Sequence, residues 1–256
     1  AMDVARFGDY ASPQYGTIKS SENYERIFIM TFPNETLPKG RKQKTTALYD
    51  RFVNQGAVMG DSFGLENVLW FANNKEDAHE EPTIKRSRSH DYVSKEVINV
   101  RENVGLIEVA NFSKHEFKGP DARKFLDHIM AGRLPKPGRI SLSPMLSYRG
   151  KLCGDLTVTC LDENEFMVFG SGAAQEMHKR WFESHLDRFN LNYKNRSDEF
   201  HGLSIAGPNS RKVLEKIVRD DVSNEKFKFR DSRRMFVGGV PAIINRISFT
   251  GELGYE

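Results

Sequence analysis

Between Tyr148 and Cys160 (YRGKLCGDLTVTC) the side chains Leu156, Val158 and Cys160 alternate with Thr157 and Thr159, the period of two that a strand with one apolar face requires. Asp155 opens this predicted strand on the face of Thr157 and Thr159, and Gly150 and Gly154 permit a tight turn before it. Glu165 to Phe169 offers a partner strand for a hairpin, and Ile140 to Leu146 leads into the turn. In Gly119 to Met130 the period changes to that of a helix: Asp121 suits the N-cap, and Ala122, Phe125, Leu126, Ile129 and Met130 share one face. Further helices are predicted from Asp91 (DYVSKEVINVREN) and over Ala173 to Leu186, where Met177, Trp181 and His185 align. Strands are predicted at Val104 to Val109, around His115 to Lys118, at Leu203 to Ala206 and at Pro241 to Phe249, after which the chain turns through TGELGYE.

One unit recurs. Gly207-Pro208-Asn209-Ser210-Arg211-Lys212-Val213-Leu214 repeats Gly119-Pro120-Asp121-Ala122-Arg123-Lys124-Phe125-Leu126, each following a strand and opening an amphipathic helix. This points to an internally duplicated α+β domain, although Gly-Pro and an N-cap suit any strand-to-helix junction. From Asp3 to about Glu80 the pattern is poor: Tyr24 to Phe32 reads as a strand, Tyr49 to Val53 as the start of a short helix, and Trp70 as an anchor against a core. Lys39 to Lys44 and Glu76 to His90 read as solvated loops. The expected organisation is a connecting segment over 1–80 and a compact domain over 81–256.

With 256 residues, 38% apolar and 29% charged, the chain can bury a sizeable core. A net charge of +3 argues against a nucleic-acid partner. No run approaches the ~18 apolar residues of a spanning helix and no signal segment opens the chain, so the expected compartment is the cytoplasm. Cys153 and Cys160 are too far apart along one strand, at about 3.3 Å per residue, to form a disulfide. The seven histidines lack metal-ligand spacing, so no metal is expected.

Gly170-Ser171-Gly172 precedes a helix, but Gln175 replaces the third glycine of a dinucleotide fingerprint and Asn190 to Asn192 replace its acid. Asp155 has two readings from its residues. It can cap its own turn, or it can meet a nitrogenous ligand, because an ionised carboxylate accepts two hydrogen bonds and stabilises nearby positive charge.

Four blocks in order, VGLIEVANFSKHEFKGPDARKFL, LSPMLSYRGKLCGDLTV, GLSIAGPNSRKVL and RISFTGELGYE, resemble the folate-binding aminomethyltransferase family, the T-protein of the glycine cleavage system and its relatives. Upstream, DVARFG, YERIFIMTFPNETLPKGRKQKT and LYDRFVNQGAVMGDSFGLENVLWFA resemble the junction between the oxidase and folate halves of dimethylglycine and sarcosine dehydrogenases, the nearer likeness. The resemblance implies a cloverleaf of α+β domains around an opening that holds tetrahydrofolate, with the family's C-terminal barrel absent from this sequence. It matches Asp155 to the family's acid near the reactive folate nitrogens, where the carboxylate favours developing iminium character and handles a proton. Glu256 matches the acid that hydrogen-bonds the pterin. Phe249 and Leu142 stand where relatives carry tyrosines.

The implied reaction captures the one-carbon unit of an N-methyl amine such as dimethylglycine or sarcosine as 5,10-methylenetetrahydrofolate. A flavoprotein oxidase domain or subunit is the implied partner, and no FAD is expected on this chain. The alternatives are a non-catalytic folate-binding relative of the kind linked to iron–sulfur protein maturation, and an interaction module that binds no folate. With Glu256 last in the sequence, its backbone is expected to fray.

Overall fold

The computed structural model describes residues 4–33 and 35–256. It divides into two compact units, Ala1–Ile98 and Asn99–Glu256. None of the helices among the described residues is long and apolar enough to cross a membrane.

The first unit is more ordered than its sequence pattern predicts. Helix α1 (Pro13–Glu25) starts where the Ser12 hydroxyl accepts the Tyr15 N–H at 3.2 Å and Pro13 fills the first turn. The expected strand Tyr24 to Phe32 is not formed: Tyr24 and Glu25 finish α1, and the rest is turn and bend. Ile27, Phe28, Ile29 and Met30 are apolar in succession, so they carry no alternation that a sheet face could select.

Helix α2 (Tyr49–Asn54) leads into an antiparallel hairpin of β1 (Ala57–Ser62) and β2 (Leu65–Phe71). The hairpin turns through Phe63 and Gly64, at φ 52° and 81°, the paired left-handed conformations a two-residue hairpin loop needs. Trp70 is buried as expected, packing on Tyr92 with ring centroids 5.1 Å apart while its indole N–H donates to Glu80. Within the basic run, Arg41 Nε donates to the buried Glu66 carboxylate at 2.8 Å and a second guanidinium N–H reaches the Met59 carbonyl at 3.0 Å. Arg41 is therefore a structural cation. The Trp70–Tyr92 contact holds the start of helix α3 (Ser89–Glu102) to this unit, and the division between the two compact units falls inside α3, at 98/99.

In the second unit the predicted elements form, with shifts at their ends. Strands β3 (Gly105–Glu108) and β4 (Ser113–Lys118), helix α4 (Ala122–Ile129) and strands β5 (Arg139–Leu146), β6 (Leu152–Asp162) and β7 (Glu165–Gly170) follow in order. A 3-10 turn, Gly172–Ala174, then opens helix α5 (Gln175–Glu183). After it come β8 (Asn192–Asn195), β9 (Leu203–Ala206), α6 (Ser210–Leu214), β10 (Ser232–Val237), β11 (Val240–Asn245) and β12 (Gly254–Tyr255). An antiparallel sheet runs β5-β6-β7-β4-β8, a second runs β12-β9-β3, and β10 pairs with β11. β8 and β10 carry too many polar residues to announce themselves by alternation.

One face of the five-stranded sheet supplies Phe117, Met145, Leu156, Val158, Phe166 and Val168 to a core closed by Phe125 and Leu126 of α4 and Phe182 of α5. The whole predicted α4 stripe is buried, Met130 included. Each fully buried leucine or phenylalanine there contributes roughly 1.5–3 kcal/mol.

The repeated Gly-Pro unit is duplicated in three dimensions. Gly119 and Gly207 take φ of 142° and 120°, and Asp121 and Asn209 take φ, ψ of −103°, 8° and −98°, 3°. Ala122 N–H donates to the Gly119 carbonyl and Ser210 N–H to the Gly207 carbonyl, both at 3.0 Å. Asp121 stands at the N-cap position without a side-chain capping bond, because its carboxylate accepts the Asn190 N–H at 2.9 Å.

Candidate functional site

Asp155 is the fourth residue of β6 and not its first, because the strand starts at Leu152. It lies opposite Pro144, while Thr157 lies opposite Leu142 on β5 and Phe169 on β7. Cross-strand partners share a face, so Asp155, Thr157 and Leu142 belong to the side of the sheet opposite the core. That side is open at one end, where Asp155 is exposed and Leu142 is 66% exposed. It is closed at the other, where Ile140, Met167 and Thr159 are buried and the Thr159 hydroxyl has no partner. The Asp155 carboxylate makes no hydrogen bond or ion pair among the described residues, so it does not cap its own turn. Its charge stands uncommitted.

The strand is held from behind. Gly154 does not turn the chain: a Cβ there would lie 2.7 Å from Nε2 of the buried His178, so only glycine lets the ring this close. His178 Nε2 lies 3.3 Å from the Cys153 carbonyl oxygen, which fixes Nε2 as the N–H and leaves Nδ1 as an acceptor without a partner. Beside it the fully buried His115 has Nδ1 2.9 Å from the Tyr193 hydroxyl, and its Nε2 is unpartnered. Burial pushes the His115 pKa down to about 3, with smaller contributions from His178 and Lys114, and burial also lowers that of His178. Both imidazoles are neutral at physiological pH. Sequence reasoning missed this group, since one histidine sits on a strand and the other on a helix, and only the packed fold joins them. Gly154, next to Asp155, was the one signal in the chain. His185, by contrast, is satisfied, with Nδ1 2.8 Å from the Trp181 carbonyl oxygen.

Glu256 lies on a different sheet. Tyr255 pairs with Ile205 and is buried, and Glu256 exchanges both backbone hydrogen bonds with Asn245, at 2.8 and 2.7 Å. The expected fraying is therefore absent: the pairing to β9 and Asn245 ties this backbone down. Burial raises the Glu256 carboxyl pKa above the usual range, and no side chain or N–H among the described residues pairs with it. A half-buried acid without a partner among the described residues is open to a hydrogen-bond donor from a ligand.

Phe249 is 98% exposed in the loop between β11 and β12. The expected strand to Phe249 ends at Asn245, because Arg246 turns away to bond Asp231 and Arg230. The structure does not bring Phe249, Glu256 and Asp155 into contact. It links their elements through backbone: Ile140 N–H donates to the Arg230 carbonyl at 2.9 Å, and Arg230 N–H donates to the Arg246 carbonyl at 2.8 Å, one residue from Asn245.

The residues present fit a ligand with ring N–H donors and a reacting nitrogen. Glu256 offers acceptors in a desolvated place and Asp155 offers negative charge on an open sheet face. Comparison with known proteins identifies the family. Residues 48–256 match the GCVT N-terminal domain, and residues 1–46 match the FAD dependent oxidoreductase central domain. Mitochondrial dimethylglycine dehydrogenase of Mus musculus is 34% identical over the whole of this chain, which spans 30% of that protein. An aminomethyltransferase of Thermotoga sp. is 27% identical over 83% of the chain and 53% of its own length. Among solved structures, glycine cleavage system aminomethyltransferase T from Bartonella henselae superposes on 83% of this chain and 52% of its own, with a TM-score of 0.67 at 22% identity, a likeness of fold.

Proposed function

This chain belongs to the GCVT N-terminal domain family of folate-dependent aminomethyltransferases, and on that premise we propose that it binds tetrahydrofolate and transfers a one-carbon unit to it, the unit derived from an N-methyl amine such as dimethylglycine or sarcosine. What carries the reading is that the two acids matched to the family's folate contacts, Asp155 and Glu256, each keep a carboxylate without a partner among the described residues. The similarity to dimethylglycine dehydrogenase along the entire chain supports the amine as the source.

Tetrahydrofolate supplies the nitrogens that accept the one-carbon unit. Glu256 accepts hydrogen bonds from the amino and N–H groups of the pterin, which returns its carboxyl to the ionised form that burial opposes. Phe249 and Leu142 provide apolar wall in place of hydroxyl contacts. Asp155, fixed by a strand clamped at Gly154 and Cys153, stabilises positive charge developing at the reacting centre and accepts a proton there. The clamped strand fixes the Asp155 backbone, which limits the reorganisation its carboxylate must make.

The test is turnover with tetrahydrofolate and a one-carbon donor for the wild type, Asp155→Asn and Asp155→Ala. We expect transfer to fall by ~10² in both variants, the scale seen when a preorganised electrostatic group is removed. Wild-type rates in both would contradict the role given to Asp155, and folate binding without any transfer would assign the chain to the non-catalytic relatives.

A further inference from the structure

Three polar atoms on the core side of the five-stranded sheet are buried and have no hydrogen-bond partner among the described residues: Ser113 Oγ, His115 Nε2 and His178 Nδ1. The register brings them together. Ser113 lies opposite Gly170 and His115 opposite Val168, so both side chains stand on the face that β4 and β7 turn to the core. A Cβ on Gly170 would lie 3.0 Å from His178 Nδ1, so this nitrogen takes the place of the side chain that glycine lacks, beside Ser113. The imidazole thus lies across two glycines, with Nε2 over Gly154 of β6 and Nδ1 over Gly170 of β7. The His115 and His178 rings stand 6.3 Å apart, inclined at 70°, and share no hydrogen bond.

Their protons decide what fits between them. His178 keeps its proton on Nε2, against the Cys153 carbonyl, so its Nδ1 accepts. The Tyr193 phenol is a stronger acid than a neutral imidazole N–H, so it donates to His115 Nδ1 and leaves that ring's proton on Nε2. The group therefore offers one donor, one acceptor and a hydroxyl that can act as either. A metal ion needs a lone pair from each ring and would find only one. A water molecule meets all three: it accepts from His115 Nε2–H, donates to His178 Nδ1 and bonds Ser113 Oγ, the ~3 hydrogen bonds usual for a buried water. At ~2.9 Å from a nitrogen of each ring it spans the gap with close to a tetrahedral angle at its oxygen.

We propose that Ser113, His115 and His178 hold one internal water, and that this water makes His178 a positioning residue for Asp155. By donating to Nδ1 it keeps the ring's proton on Nε2, where the N–H holds the Cys153 carbonyl two residues before Asp155. The water stands on the geometry alone; the use given to it rests on the role proposed for Asp155.

A high-resolution crystal structure of this chain, with long-range proton–nitrogen NMR of its histidines, tests the first part. We expect one water ~2.7–3.2 Å from all three atoms, and both rings neutral with the proton on Nε2. A metal ion in that place, no density there, or a proton on Nδ1 of either ring would overturn the proposal. The second part is read in the double variant Ser113→Ala, His115→Phe, which removes two of the water's partners and keeps an aromatic ring in the core. His178 should then become a mixture of tautomers, and kcat for transfer should fall roughly threefold to tenfold with KM for tetrahydrofolate unchanged. An unaltered His178 tautomer, or an altered one with wild-type kcat, would overturn the positioning role. A wild type that shows the water and the tautomers but transfers nothing would refute the reading of Asp155 and leave the water site standing.

Discussion

Glu256 is half-buried and His115 fully buried, and the two ionisable groups respond to pH in opposite ways. The folded-state pKa of Glu256 is raised above 4.5, so the folded protein holds this proton more tightly than the unfolded chain, and stability declines as pH rises through that window. Glu256→Gln should therefore melt roughly 1–4 °C higher at pH 7 while binding folate more weakly, a trade of function against stability. Differential scanning calorimetry checks the first half.

His115 is depressed to about 3 from 6.5, so the unfolded chain binds the proton first and stability falls as pH drops from 6.5 toward 3. The loss is on the order of a few kcal/mol. Urea midpoints should decline between pH 7 and pH 4.5 in the wild type, and decline less in His115→Gln. A parallel decline in both would mean that other groups govern the acid limb. Asp155 was singled out by the family resemblance, since its local pattern fits a turn-capping acid as well as a ligand-binding one. The histidine pair behind it could not be, because the two meet only through the packing of β4 against α5.

Strand β6 and the two Gly-Pro corners show where local pattern sufficed. Alternation placed Leu156, Val158 and Cys160 on the core face correctly, and the α4 stripe was readable in full, since burial on one side imposes a period. The repeated corner was readable because Gly-Pro followed by Asp or Asn has a fixed geometric use. Both glycines are required: a Cβ at Gly119 would come within 2.8 Å of the Leu191 Cα, and one at Gly207 within 2.5 Å of the Val100 carbonyl oxygen. Gly119→Ala and Gly207→Ala should each cost about 2 kcal/mol or more in denaturant unfolding, since both strain a positive φ and strike backbone. Gly154→Ala should displace His178 and reduce transfer more than it reduces stability, as judged by kcat against melting temperature. What resisted reading were elements without one-sided burial. β8 is mostly polar, β10 runs from polar Ser-Arg-Arg to apolar Met-Phe-Val, and Ile27 to Met30 is an unbroken apolar run, so none of them offers a period to detect. The end of the chain was misjudged because its order comes from pairing with β9 and Asn245, partners distant in sequence.

The two units divide the chain's chemistry. The second carries both acids, and the first carries the stretch that matches an oxidoreductase domain but has no glycine-rich nucleotide-binding turn. We therefore expect this chain to purify colourless, and the visible absorbance of stoichiometrically bound FAD would refute that. The claim on which the rest depends is that Glu256, half-buried and without a partner for its carboxylate among the described residues, receives the pterin. Calorimetric titration of tetrahydrofolate into the wild type and Glu256→Gln tests it most directly. The structure predicts one saturable site in the wild type, weakened about tenfold or more by the substitution, which is about 1.4 kcal/mol and within the range for one charge-assisted hydrogen bond. Absence of binding, or equal affinity in the two proteins, would contradict it.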